Sequence, residues 1–391
     1  MTPAARAQAA IDLLDEILAA ARAGGAAADT LIARYFATRR YAGSKDRRAV
    51  RELVYAAIRL CGAPPVSGRA AMLAVAARDP ALAALFTGEG HAPARIAADE
   101  PVAPEGIAPE WLRAALAESG LADAELAALV ERAPLDIRVN RLVDMPVAIA
   151  GAAPIAGLPD ALRLPPGVNV EALPEWAAGA IEVQDAGSQV VTLAARAAPG
   201  QRIVDLCAGA GGKTLALVVA MMNQGAILAS DSDRGRLSRL LPRAARAGAS
   251  IVTTRLLDPG REGEALTDWT AQADCVLIDA PCSGTGTWRR NPEARWRLTP
   301  DRLARLVETQ ARLLDVGAAL VKPGGALVHI VCSLLDVEGA GQVARFLAAR
   351  PGWRAEPLAL PVGRAHGDGV RLTPAHDGTD GFFVARMQAP C

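Results

Sequence analysis

Hydrophobic residues follow three different patterns along this chain. From residue 4 to Arg132, apolar positions recur every three or four residues, which predicts amphipathic helices. At Leu135 the pattern changes to the alternation typical of a strand, LDIRVN, and a Pro- and Gly-rich region continues to about Pro174. Beyond that, apolar strands alternate with helices. We therefore expect an all-α domain over residues 1–132, a small mixed linking module over 133–175, and an α/β domain over 176–391.

The alternation in the third region predicts a mostly parallel, doubly wound sheet covered by helices on both faces. Its last segment, DGFFVARMQ, alternates in the way that suits an antiparallel edge strand. Ligands of such sheets bind beyond the carboxyl ends of the strands. The residues found at those predicted ends are Asp205, Asp231, Asp258, Asp279, Cys282 and Cys332.

The stretch RIVDLCAGAGGKT (202–214) predicts a strand, a glycine turn and the start of a helix, an arrangement that lets a ligand approach backbone N–H groups. A Walker phosphate loop requires glycine where Cys207 stands. A dinucleotide fingerprint lacks its third small residue at Thr214. The third alternative is the S-adenosylmethionine loop of methyltransferases, for which Asp231 is placed to hold the ribose hydroxyls. An ordinary strand-to-helix turn remains the fourth.

Composition narrows the function classes. The chain has 391 residues, enough for two or three domains, and is 51% hydrophobic, yet no apolar run reaches the length of a membrane span. We see no export signal, and the six cysteines form no C-x-x-C pair. We therefore expect a cytoplasmic, monomeric protein without a metal site or membrane contact. Because the net charge is +0, nucleic-acid contacts must be local.

Three local basic stretches are candidates for RNA binding. Residues 34–59 contain eight basic and two acidic residues, and their candidates are Arg39, Arg40, Lys45, Arg47 and Arg48. A solvated helix face is the alternative for this cluster. The other candidates are Arg138 and Asn140 on one face of a predicted strand, for which a solvated strand face is the alternative, and Arg289, Arg290 and Arg295 among two tryptophans.

Three motifs, DLCAGAGGKT, DAPCSGTGTWRRNPEARW and VCS, resemble the Sun (Fmu) family of RNA cytosine-5 methyltransferases, over residues 135 to 388. The helices containing RRYAGSKDRRAVRELVYAAIR are similar to the NusB-like RNA-binding domain of its ribosomal-RNA members. The resemblance implies a Rossmann-like domain that uses S-adenosylmethionine to methylate carbon 5 of a cytosine in RNA. Ribosomal RNA is the leading candidate substrate. Transfer RNA is an alternative substrate, and a non-catalytic RNA-binding factor with a relic methyltransferase domain is an alternative function.

The resemblance also implies roles for individual residues. Cys332 is the nucleophile that adds to carbon 6, Cys282 serves product release, and Asp279, with Lys213 as its expected partner, contacts the cytosine. The implied cofactor contacts are Cys207, Ala208, Gly209, Ala210, Gly211, Gly212, Lys213, Asp231, Asp258 and Asp279. Two buried structural cysteines are the alternative.

The chain departs from the family pattern at three places. Gly209 and Ala210 replace an Ala-Pro pair, Val331 replaces the threonine before the nucleophile, and an acidic segment is reduced to Glu338. These departures put cofactor affinity and substrate alignment in question, since each lies beside a residue with an implied role.

Overall fold

The computed structural model describes residues 1–391 and divides the chain into two compact units. The helical unit comprises Met1–Arg132 and Thr287–Pro300, and the sheet unit comprises Ala133–Gly286 and Asp301–Cys391. The expected division differs in two respects. Residues 287–300 lie within the predicted α/β domain but belong to the helical unit. The predicted linking module is part of the sheet unit rather than a separate body.

The helical unit is built from amphipathic helices. In chain order they are α1 Pro3–Ala23, α2 Ala28–Ala37, α3 Ser44–Leu60, α4 Gly68–Arg78, α5 Pro80–Ala83, α6 Glu110–Glu118, α7 Asp123–Ala128 and, much later in the chain, α14 Ala294–Arg297. Helix α1 begins at a Thr2 cap with Pro3 in the first turn and ends at Gly24, which has φ 68°. Its buried face, which includes Leu14 and Ile17, lies in the unit's core.

A four-stranded antiparallel sheet forms the first part of the sheet unit. Its strands are β1 Leu135–Val139, β2 Ala153–Ile155, β3 Leu158–Leu164 and β4 Ile181–Val183, in the order β2-β3-β1-β4. Ile137 and Ile181 pack with Leu164 in a small core of their own.

The main sheet of this unit has nine strands, five of them parallel. They are β5 Arg202–Asp205, β6 Ala226–Asp231, β7 Val252–Leu256, β8 Ala273–Asp279, β9 Val321–Val331, β10 Arg354–Glu356, β11 Arg364–His366, β12 Gly369–Leu372 and β13 Phe382–Gln388. The order is β11-β12-β13-β9-β8-β5-β6-β7, and β10 also pairs with β13. Strands β5 to β9 are parallel to one another. Strand β13 is antiparallel to β9, and three further antiparallel strands extend the sheet beyond it.

Helices cover both faces of this sheet. They are α9 Ala186–Thr192, α10 Gly212–Ala220, α11 Arg234–Leu237, α12 Leu240–Arg246, α13 Glu262–Ala265, α15 Pro300–Leu320, α16 Ala340–Ala349 and α17 Pro374–Asp377. The short helix α8 Pro174–Ala177 instead adds Trp176 to the small core of the four-stranded sheet. Alternate strand residues enter different cores: Val276 packs with Leu313 of α15, whereas Leu277 packs with Leu217 of α10. Burial on both faces explains why these strands are continuous apolar runs. No helix of the protein is both long enough and apolar enough to cross a membrane.

Candidate active site

The turn between β5 and α10 is shaped by its glycines and by Asp231. Gly209 and Gly211 have φ of 55° and 88°, values that side chains with a Cβ disfavour. The Gly211 N–H donates to the Ala208 carbonyl at 2.9 Å, and the Gly209 N–H donates to Asp231 Oδ2 at 2.7 Å. Because Asp231 ends the neighbouring strand β6, its carboxylate joins the two strand ends.

Gly212, the first residue of α10, borders an open space in which a ligand can bind. A Cβ added to Gly209 would lie 2.5 Å from Arg236 Nη2, and one added to Gly211 would lie 2.7 Å from Leu240 Cγ, whereas one added to Gly212 would lie in open space. This open cradle at a helix N-terminus, with the Asp231 carboxylate alongside, suits the amino-acid and ribose parts of S-adenosylmethionine. Asp258, another expected contact, is exposed beyond the end of β7.

Lys213 and Asp279 form an ion pair, as the sequence predicts. Lys213 Nζ donates to Asp279 Oδ2 at 2.6 Å. Burial lowers the pKa of Lys213, but the acidic groups Asp279, Cys332 and Asp205 outweigh burial, and the pKa ends above its ordinary value. Lys213 therefore stays positively charged. It fixes the orientation of an Asp279 side chain that is 31% exposed.

Asp205, the last residue of β5, is fully buried beneath the glycine turn. Its Oδ2 accepts a hydrogen bond from Thr214 Oγ1 at 2.7 Å, and its Oδ1 has no partner. Burial raises the pKa of Asp205 to about 7, and the charges of Asp279 and Asp231 add to the rise. Burial also raises the pKa of the Cys207 thiol, and the nearby carboxyl groups of Asp205, Asp231 and Asp279 add to that rise. Asp205 thus holds the first turn of α10 and keeps its proton up to near-neutral pH.

The two predicted cysteines lie side by side. Asp279 at the end of β8 is paired with Ile330 of the adjacent parallel strand β9, so the chain segments that follow leave the sheet together. Cys282 and Cys332 stand in these segments, both half-buried, with their Sγ atoms 3.3 Å apart. The hydrogen bond with Cys332 raises the pKa of Cys282, and burial and the charge of Glu338 raise it further.

A buried polar cluster next to the cysteines was not predicted. The carboxylate of Glu338 accepts hydrogen bonds from the hydroxyls of Ser283 and Ser333, from the Ser283 N–H and from Gln310 Nε2. The signal available in the sequence is the Cys-Ser pair, which occurs at both cysteines, followed by two acidic residues, Asp336 and Glu338, soon after the second. Without the fold, nothing connects that carboxylate to both serines.

A sequence model of the family described as 16S rRNA methyltransferase RsmB/F matches residues 191–388. This range contains the glycine turn, the ion pair, both cysteines and Glu338. The chain belongs to this family. Among its members, ribosomal RNA small subunit methyltransferase B of Klebsiella pneumoniae is 33% identical over 267 residues, which are 66% of this chain and 60% of that protein. The Xanthomonas campestris protein of the same name is 35% identical over 297 residues, 73% of this chain and 67% of that protein. The match thus spans about 60% of the length of most of these relatives.

Solved structures share the fold. The crystal structure of PH0851 covers 99% of both chains with a TM-score of 0.78 at 24% identity. NSun6 from Pyrococcus horikoshii, solved with SFG, covers 72% of this chain and 98% of its own with a TM-score of 0.64 at 18% identity. At these identities the likeness concerns the fold and not the substrate.

In the helical unit of this RsmB/F family member, the predicted basic cluster lies on the surface. Arg40, Lys45 and Arg48 are exposed and form no ion pair. Arg39 stacks on Tyr35, with Cζ 3.5 Å from the ring centroid, and Arg47 is exposed with its Nε bonded to the Ala42 carbonyl. These five residues remain available to phosphate groups, as RNA binding requires.

Two other predicted RNA contacts, Arg138 and Asn140, are in the interior, which corrects the prediction. Arg138 on β1 is 7% exposed and donates from Nε to Gln184 at 2.8 Å. Asn140 is 2% exposed, and its amide donates to the carbonyls of Gly179 and Ala247. Both side chains serve the packing of the small sheet, since neither reaches the surface.

Arg295 is also buried rather than exposed to RNA. Its guanidinium is 0% exposed and donates to carbonyls at the C-terminal end of α3. Arg289 is only 8% exposed and donates to the Arg132 carbonyl, and Arg290 is half-buried. The Arg- and Trp-rich segment 287–300 is thus mainly a packing element of the helical unit, which explains why two of its tryptophans are buried.

Proposed function

We propose that this protein transfers a methyl group from S-adenosylmethionine to carbon 5 of a cytosine in RNA, with small-subunit ribosomal RNA as the substrate. The observation that carries the proposal is the 3.3 Å separation of the Cys282 and Cys332 sulfurs beside the Lys213–Asp279 pair. The membership of the RsmB/F family supports ribosomal RNA over transfer RNA. Both cysteines and the Lys213–Asp279 pair are present together, which favours an active enzyme over a relic domain.

The proposed reaction uses two cysteines because carbon 5 of cytosine must first be activated and the enzyme must then be released. Carbon 5 of cytosine is too weak a nucleophile to accept a methyl group unaided, so a thiolate first adds to carbon 6 and makes carbon 5 electron-rich. Cys332 performs this addition. S-adenosylmethionine supplies the electrophilic methyl group. Loss of the carbon-5 proton then expels Cys332, and Cys282 assists this release.

The remaining residues orient the reactants. Asp279, held by Lys213, hydrogen-bonds the edge of the cytosine and fixes the base over Cys332. The turn from Cys207 to Lys213 holds the amino-acid part of the cofactor, and Asp231 and Asp258 hold its ribose side. Asp231 already anchors Gly209, so one carboxylate serves both the turn and the ligand.

The test uses Cys332→Ala and Cys282→Ala in the full chain, with small-subunit ribosomal RNA and transfer RNA as substrates. Cys332→Ala should lower methyl transfer at least about 1,000-fold, because it removes the nucleophile. Cys282→Ala should accumulate a denaturation-resistant protein–RNA adduct, because release fails. Bisulfite sequencing maps the product. The control is Cys391→Ala, an exposed thiol outside the site.

Full activity of Cys332→Ala would contradict the assigned roles. Methylation of transfer RNA alone would keep the chemistry and replace the substrate. Calorimetry that detects no binding of S-adenosylmethionine would favour the relic.

A further inference from the structure

The Glu338 carboxylate is buried with no cation beside it. It is 0% exposed, and its two oxygens are filled by donors that carry no charge. Oε1 accepts from the Ser283 N–H at 2.8 Å and from Gln310 Nε2 at 2.9 Å, and Oε2 accepts from the hydroxyls of Ser283 and, at 2.5 Å, Ser333. Four donors therefore face the two oxygens of one side chain, as the acceptor-only oxygens of a carboxylate require.

The donors to this charge come directly after the two cysteines in the chain. Ser283 follows Cys282, and Ser333 follows Cys332. One further hydrogen bond connects the same two segments, because the Gly286 N–H donates to the Cys332 carbonyl at 3.0 Å. The Ser283 and Ser333 hydroxyl oxygens also lie only 3.0 Å apart. Because one side chain binds both segments, it holds them together beyond the point where the paired strands β8 and β9 end.

Glu338 also affects Cys282 and Cys332 differently. The groups near Cys282 are Cys332, Glu338 and, at the adjacent strand end, the Lys213–Asp279 pair. His329 Nε2 donates to the Glu338 carbonyl at 2.9 Å, but burial lowers the pKa of His329, so it adds no positive charge near neutral pH. Lys213 is influenced by Cys332, whereas Glu338 raises the pKa of Cys282. The proton between the sulfurs therefore belongs on Cys282.

We propose that Glu338 is a positioning residue that gives the two cysteines their different roles, holding their segments in register and keeping Cys282 as the sulfur that carries the proton. This inference rests on the proposed function. In this arrangement the Cys282 S–H donates to Cys332 across the 3.3 Å contact between the sulfurs, and Cys332 is the sulfur that reacts as a thiolate.

The proton balance follows from this arrangement. Once the Cys332 thiolate has bonded to carbon 6, it no longer repels charge on Cys282, whose proton leaves to solvent. After methyl transfer, the Cys282 thiolate takes the carbon-5 proton. The C–H electron pair restores the double bond, and the Cys332–carbon 6 bond breaks with its electrons returning to Cys332. Each turnover releases one proton and regenerates the starting pair.

The experiment is Glu338→Gln, which keeps the shape of the side chain and removes its charge. The matched control is Glu308→Gln, the same change at an exposed position on α15. In the Cys332→Ser background, alkylation of Cys282 by iodoacetamide is followed by mass spectrometry across pH. We expect its midpoint to fall by about one pH unit or more in Glu338→Gln, because a nearby negative charge is lost. The control should not move it.

Activity gives a second readout. With Cys332 present, Glu338→Gln should lower kcat about tenfold or more and accumulate the protein–RNA adduct, because a less basic Cys282 slows release. The KM for S-adenosylmethionine should stay unchanged. An unshifted Cys282 midpoint would overturn the inference. The alkylation arm needs neither RNA nor cofactor, so it reports on Glu338 even if the protein methylates nothing.

A second variant distinguishes the effect of the position of the carboxylate from the effect of its charge. It also replaces Glu338→Gln as the test if that variant does not fold. Glu338→Asp keeps the charge but is too short to bind both serines. It should leave the Cys282 midpoint in place and still lower kcat. Full activity of Glu338→Asp would overturn the positioning part of the inference.

Discussion

Arg295→Met is expected to loosen the C-terminal end of helix α3. The Arg295 Nη2 donates to the carbonyls of Ile58 at 2.6 Å and Arg59 at 3.1 Å, and both carbonyls belong to the last turn of that helix. The last carbonyls of a helix have no partner within the helix, so a side chain commonly caps them. Burial lowers the pKa of Arg295 to about 10, which still leaves the guanidinium charged near neutral pH.

The size of the effect follows from which carbonyls lose their donor. Cys61 keeps a second donor, Trp296 Nε1 at 3.0 Å, whereas the Ile58 and Arg59 carbonyls keep none. A buried acceptor left without a partner costs about 1–3 kcal/mol. The Ile58 carbonyl is buried and the Arg59 carbonyl is partly buried, so together they lower the free energy of opening the helix end by about 4 kcal/mol. Methionine retains most of the apolar volume of the arginine stem, so a cavity adds little.

Hydrogen exchange with mass spectrometry on the full chain measures this locally. Peptides covering the end of α3 should exchange about a thousandfold faster in Arg295→Met, since about 1.4 kcal/mol is a tenfold change. Arg305→Met, at an exposed position on α15, is the control. Unchanged protection of α3 together with weakened RNA binding would refute the capping role and restore Arg295 as an RNA contact.

Three further predictions concern the cofactor site, a buried acid and the basic surface. Gly212→Ala should leave thermal stability unchanged within about 1 kcal/mol, because its Cβ enters open space, but should weaken S-adenosylmethionine binding in calorimetry; unweakened binding would move the cofactor elsewhere. Asp205 has a pKa of about 7 when folded and 3.8 as its ordinary value, so the folded state holds the proton more tightly and stability falls as pH rises between these values. The stability of Asp205→Asn relative to the parent should therefore improve by about 4 kcal/mol from pH 4 to pH 8, and a pH-independent difference would be contrary evidence. Neutralising three unpaired basic residues to glutamine should lower the slope of log RNA affinity against log salt by about 2, whereas the same change at three ion-paired arginines should not. The first set is Arg40, Lys45 and Arg48, and the second is Arg78, Arg95 and Arg113.

The sequence predicts the reacting groups better than it predicts the residues that hold them. The parallel strands are apolar runs that end in polar or sulfur residues, so Asp279, Cys282 and Cys332 could be assigned to strand ends from the sequence. Which strands are neighbours is a property of the whole sheet. The pairing of β8 with β9, and with it the 3.3 Å contact between the sulfurs, therefore had to come from the structure.

The incorrect predictions of RNA contacts have the same cause, because they too depend on residues that are distant in the sequence. An arginine between tryptophans is typical of a nucleic-acid surface, but Arg295 instead binds carbonyls more than 230 positions earlier in the chain. Local sequence contains no information about such distant acceptors. The contacts of Glu338 were not predicted for the same reason, because its partners Ser283 and Gln310 are separated from it by 55 and 28 positions.

The departures from the family pattern can now be weighed by where each side chain lies. Val331 is 0% exposed and packs in the core that contains Leu327 and Phe383, whereas Cys332 borders the core on the other face of the sheet. Alternation along the chain therefore directs residue 331 away from Cys332, and a threonine there would bury its hydroxyl in the apolar core that Cys282 also borders. The glycine turn that lacks the family's proline is instead anchored by Asp231 through the Gly209 N–H. The shortened acidic segment keeps Glu338, the carboxylate that binds both serines. None of the three departures removes a group that the proposed reaction uses, so they give no support to a relic domain.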